Sequence, residues 1–153
     1  MRLPMAMFYG SMLAGLMLAA CSAPAPKNLG LHAGRLLPCP SSPNCVCSQD
    51  SGKVHGIAPF AYTGPRAQAM ARLAQAITGM YGARIVMQTP GYLHAEYTTR
   101  WLRFVDDVEF YAPAGTSLIQ VRSASRVGYS DFGVNRKRVE AIRRRFAAAI
   151  KGE

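Results

Sequence analysis

His94 and Glu96 stand two residues apart, Asp107 and Glu109 likewise, and Arg122 and Arg126 four apart. An imidazole, three carboxylates and two guanidiniums can move protons, hold cations or grip anions. In an extended strand, residues two or four apart project from one face. His94 and Glu96 then share a face. Asp107 and Glu109 share one opposite Val108 and Phe110, and Arg122 and Arg126 oppose Ile119 and Val121. If helices cover the apolar side, all six charged or polar groups converge on the other. The plainest outcome is a solvated face with cross-strand ion pairs, each contributing roughly 0.2–1 kcal/mol. A binding site for a polar or anionic ligand is the second, because arginine grips carboxylate or phosphate at two points. Catalysis is the third. Its residues stay unassigned, since spacing shows neither a nucleophile beside a base nor a paired acid and base. Ser123 and Ser125 lie on the parity opposite to the arginines. A metal site at His94, Glu96 and Asp107 is the weakest, as one histidine with scattered carboxylates is a poor donor set.

The run Gly128-Tyr129-Ser130-Asp131-Phe132-Gly133, leading to Asn135, is a second place for a ligand. Two glycines frame aromatic and polar residues just before a helix start, where free N–H groups attract anions. Tyr129, Ser130, Asp131 and Asn135 are its candidate contacts. The simpler role is a turn in which Asp131 bonds its own backbone.

Those groups need elements to hold them. A helix over Pro65 to Thr78 follows from Gly64-Pro65 at its start and Met70, Leu73 and Ile77 on one face. Gly79 and Gly82 stop it. Four strands follow: Arg84 to Gln88, Tyr92 to Thr99, one within Leu102 to Tyr111, and Leu118 to Ser125, with Pro/Gly turns between. A last helix begins near Asn135 and buries Val139, Ile142, Phe146 and Ala149, with Arg136, Lys137, Arg143 and Arg144 opposite. The expected fold is α+β: an antiparallel sheet of about four strands packed against two helices as a two-layer sandwich.

The first residues carry a different kind of chemistry. Arg2 is followed by an uncharged run from Met5 to Ala20, too short for a membrane span of about 20 apolar residues. It ends in Leu18-Ala19-Ala20-Cys21, with the small residues that signal peptidase requires. This resembles the lipobox of bacterial lipoproteins. The resemblance implies that residues 1–20 are removed, and that Cys21 carries a diacylglycerol with palmitate-like chains. Several acyl chains anchor stably, at about 0.8 kcal/mol per buried methylene. Ser22 rather than Asp follows, as in lipoproteins that Gram-negative cells send to the outer membrane. Residues 21–37, rich in Pro and small residues, are expected to form a flexible tether, and residues 38–153 a single domain.

An envelope location permits disulfides. Cys39 and Cys45 enclose a short loop compatible with a bridge. Cys45 and Cys47 are too close for an unstrained one. Cys47 is the odd thiol, expected as a small buried apolar group. His32, His55 and His94 have no zinc-ligand spacing to the cysteines, so no metal or cofactor is expected.

The formal net charge is +10, concentrated after Asn135, and cleavage of the signal removes only Arg2 from it. Anionic partners are favoured. Arg143-Arg144-Arg145 would suggest nucleic acid, but export removes that partner.

Three stretches together resemble the DUF1499 family: Cys39-Pro40-Ser41-Ser42-Pro43-Asn44-Cys45-Val46; Tyr92 to Tyr97 with Asp106 to Phe110; and Val121 to Arg126 through Gly128 to Arg136 and Arg138-Val139-Glu140. The likeness covers about Leu36 to Ile150. Cys47 stands where the resemblance leads one to expect serine, which favours the Cys39–Cys45 bridge. The family's function is unknown, so the resemblance implies no activity. The expectation is therefore a membrane-anchored periplasmic lipoprotein that binds an anionic or polar envelope ligand. Alternatives are an envelope enzyme using the His/acid/Arg face, and a structural lipoprotein docking its basic last helix on anionic lipid or a protein partner.

Overall fold

The computed structural model describes residues 24–151. The expected signal over residues 1–20 and the expected lipidation site Cys21 lie outside the described residues. The elements in chain order are β1 (Cys45–Cys47), β2 (Phe60–Ala61), α1 (Arg66–Thr78), β3 (Ala83–Gln88), β4 (Tyr92–Thr98), β5 (Val105–Tyr111), β6 (Leu118–Ser125) and α2 (Val134–Lys151). The sheet runs β1-β6-β5-β4-β3 with β2 paired to β6, and every strand pairing is antiparallel. The fold is the expected α+β class with six strands rather than four. The two extra strands have only three and two residues, too few to show alternation.

Strand parity sorts the sheet into two faces. Leu93, Ala95, Val108, Phe110, Ile119 and Val121 point toward the helices and are fully buried. Helix α1 adds Met70, Leu73 and Ile77, and α2 adds Val139, Ile142 and Phe146. Phe60 packs edge-on to Phe110 and Phe146, with centroids 5.6 and 5.8 Å away. A small edge strand thus supplies the ring that joins sheet and helix, and such contacts add stability beyond area burial. Pro65 caps α1 in an extended conformation, so the helix starts at Arg66, one residue later than expected. Gly82 has φ +74°, and a Cβ there would meet the Thr98 carbonyl oxygen at 2.3 Å. Only glycine lets that turn close against the end of β4.

The stretch expected as a tether is fastened before its end. The Gly30 amide donates to Glu109 Oε1 at 2.7 Å, and Leu36 is buried with its amide on Gln49 Oε1. Cys39 and Cys45 are bridged, with Cα atoms 5.6 Å apart, and Cys47 is a buried free thiol. Among the described residues the core and every element lie C-terminal to Gly30, so a chain from Ser22 onward contains all of them.

Candidate functional site

The face opposite the helices assembles as parity predicts, but it is not solvated. Cys47, Arg122, Glu109 and His94 form one cross-strand row, and Glu96 pairs with Asp107 in the next. His94, Asp107, Glu109 and Arg122 are all buried. The Gly30 bond to Glu109 places the N-terminal segment against this face. The expectation of an open polar surface is therefore corrected: chain from outside the meander covers it, which strand alternation cannot reveal.

Charge on this face is internally matched. Arg126 bonds both oxygens of Asp107 and also reaches Glu96, which in turn holds Arg84. His94 Nε2 lies 2.8 Å from Asp107 Oδ1. Glu109 receives the Gly30 amide and Tyr92 hydroxyl on one oxygen and Arg122 on the other. Burial raises the Asp107 carboxyl, but its bonds to Arg126 and His94 outweigh that and hold it below its usual value. Glu96 is likewise lowered, its bonds to Arg126 and Arg84 overcoming desolvation. Arg126 is raised by its bonds to Asp107, so it stays charged. Tyr92 is pushed up by burial and by the Glu109 carboxylate. These groups neutralise one another and leave little for a ligand. The one orphan is Arg122 Nε, buried without a partner among the described residues.

Catalytic geometry does not follow. His94 and Cys47 share a row but stand three strand spacings apart, roughly 14 Å. Arg122 and Glu109 fill the interval. Burial also raises the Cys47 thiol, which disfavours its nucleophilic form. Among the described residues no group of three His, Cys, Asp or Glu side chains could hold a metal ion.

The loop candidates divide. Asn135 is fully buried, bonded to Ser123, Ser125 and the Asn44 carbonyl, so it is a structural hub rather than a ligand contact. Arg138 joins this hub and pairs with Asp106. Asp131 accepts the amides of Gly133 and Asn135, capping α2, whose first residue is Val134. Ser130 accepts the Phe132 amide. Tyr129 is exposed, and its side chain has no hydrogen bond among the described residues.

Two adjoining grooves lie at the end of the sheet where β4 turns into β5 and β6 leads into α2. Each has a volume of about 540 Å³. The first is lined by Tyr81, Tyr97, Thr98, Arg100, Lys137 and Arg138, among others, with no carboxylate in its wall. Arg100 stacks near the Tyr81 and Trp101 rings at 5.9 and 5.7 Å, and Arg138 over Tyr97 at 4.8 Å. Burial pushes the Tyr97 hydroxyl up to about 12. Arg100 and Lys137 are exposed and have no ion-pair partner among the described residues. The second groove has apolar walls from Leu102, Phe104, Val127, Phe132 and Val134. Sequence reasoning missed the first; the second takes Gly128, Ser130, Asp131 and Phe132 from the loop singled out above. The available signal for the first was Arg100-Trp101-Leu102-Arg103-Phe104, a hairpin turn that mixes basic and large apolar residues without Gly or Pro.

The basic last helix is less free than its sequence suggests. Arg136 bonds the Lys53 and Val54 carbonyls, while Arg143 bonds the Ala58 and Pro59 carbonyls and lies over Phe60. No helix among the described residues is long and apolar enough to cross a membrane.

A family model described as a protein of unknown function, DUF1499, matches residues 35–146. No curated protein and no solved structure matches the chain.

Proposed function

From a chain that belongs to the DUF1499 family, whose function is unknown, we propose a lipid-anchored protein of the cell envelope whose domain is a non-catalytic module binding an anionic ligand. The anchor rests on Leu18-Ala19-Ala20-Cys21. The binding site is the first groove, with Arg100 and Lys137 as the charged contacts and Thr98 and Thr99 as hydroxyl donors. One observation carries this reading. The sheet-face arginines 84, 122 and 126 each have a carboxylate, whereas Arg100 and Lys137 have none among the described residues. Unmatched cations beside aromatic rings in a concavity suit an anion of carboxylate or phosphate type.

The test is thermal denaturation of the chain from Ser22 onward with glycerol phosphate as probe. The proposal expects a rise in melting temperature that vanishes in Arg100→Ala/Lys137→Ala while the unliganded melting temperature stays the same. Stabilisation that survives the double substitution would place the site elsewhere.

A further inference from the structure

The same end of the domain carries apolar side chains that the fold does not use. Trp101 is 86% exposed, Leu102 66%, Tyr129 76% and Phe132 88%. They come from two loops, the β4–β5 turn and the β6–α2 connection, which meet as the walls of the second groove. Single exposed apolar residues are ordinary, but a cluster of large ones marks an interaction surface.

The loops hold these side chains out under strain. Arg103 and Phe132 both have left-handed backbones, at φ 54° and 52°. Large side chains avoid that region, and such strain collects at functional segments. Cations ring the patch: Arg100, Arg103 and Lys137 lack carboxylate partners among the described residues. The nearby acids are already engaged, Asp106 with Arg138 and Asp131 with two backbone amides.

Resting on the anion-groove reading, we propose that this end of the domain docks on the surface of an anionic lipid bilayer. Trp101, Leu102, Tyr129 and Phe132 enter the headgroup layer, and Arg100, Arg103 and Lys137 meet the phosphates. Aromatic and basic side chains side by side are what that interface favours. Reach agrees. Gly30 is held on Glu109, so the nine bonds of chain from Cys21 to Gly30 span at most roughly 30 Å. Glu109 lies four residues along β5 from Val105, about 13 Å from the loop end. A bilayer holding Cys21 is thus within contact distance of the patch.

Trp101 is the only tryptophan in the chain, so its fluorescence reports this contact directly. The chain from Ser22 onward is mixed with vesicles rich in phosphatidylglycerol, and separately with pure phosphatidylcholine. Docking predicts a blue shift with the anionic vesicles only, quenching by brominated acyl chains, and loss of binding as salt rises. Phe132→Ser and Leu102→Ser each lower vesicle partitioning about tenfold with the fold intact. Unchanged Trp101 emission with anionic vesicles overturns the proposal, as does a shift that also occurs without lipid as copies associate. If emission stays unchanged while glycerol phosphate still stabilises the protein through Arg100 and Lys137, docking falls and the anion groove stands. If both responses are absent, both fall.

Discussion

Arg126 meets Asp107 at two points, Nε 2.8 Å from Oδ2 and Nη2 2.7 Å from Oδ1, on a sheet face that the chain itself covers. Planar guanidinium matches planar carboxylate, and neither can find water easily. Removing one partner from such a pair leaves a buried charge uncompensated. Arg126→Met should therefore cost about 3–5 kcal/mol in urea unfolding. Arg100→Ala, at an exposed cation without an ion-pair partner, should change stability by less than about 0.5 kcal/mol. Equal effects would mean that the two arginine clusters do the same work.

The same network sets a pH dependence. Asp107 and Glu96 are held below their ordinary values in the folded state. A lowered carboxylate binds its proton less readily folded than unfolded. Its stabilisation is full above the unfolded value, about 4, and is lost as pH falls through the folded value. Unfolding free energy should hold steady from neutral pH to about 5 and fall below about 4. In Asp107→Asn the acid slope should be shallower. A slope unchanged by that substitution would assign acid sensitivity to other carboxylates.

Cys47 is a buried thiol that burial makes harder to ionise. It should ignore a thiol reagent in the native protein and react once on unfolding, giving one titratable thiol per chain from Ser22 onward while Cys39–Cys45 is intact. Reducing that bridge releases a short loop, with an expected loss of about 2 kcal/mol. Rapid labelling of the native protein would show that Cys47 is accessible.

Phe132 offers a separation of stability from binding. Its side chain is exposed and its φ is 52°. Phe132→Gly removes a left-handed penalty of about 1–2 kcal/mol, partly offset by glycine's greater freedom when unfolded. The melting temperature should hold or rise while partitioning onto anionic vesicles falls. A clear drop in melting temperature would make Phe132 a structural residue.

Long periodic segments were legible before the structure: α1, α2 and β3 to β6 all follow from apolar spacing. Parity also grouped His94, Glu96, Asp107, Glu109, Arg122 and Arg126 correctly. Their burial was not legible. Alternation in Asp106-Asp107-Val108-Glu109-Phe110 reads as a half-exposed strand, yet β5 is buried on both faces. The cover comes from residues around Gly30, which follow Pro24 and Pro26 in a stretch that reads as linker. Asn135 suits a helix cap by type, but its burial against Asn44 depends on a contact 91 residues away in sequence. Arg100 and Lys137 were hidden for a similar reason, since one lies in the turn after β4 and the other in the first turn of α2, 37 residues apart in sequence.

The central claim is that the anion site lies at the loop end and not on the arginine-rich sheet face. Amide chemical shifts during titration with glycerol phosphate test it most directly. The account predicts perturbations centred on Thr98, Thr99, Arg100 and Lys137, with Arg122 and Arg126 unmoved. Perturbations centred on Arg122 and Arg126 would contradict it.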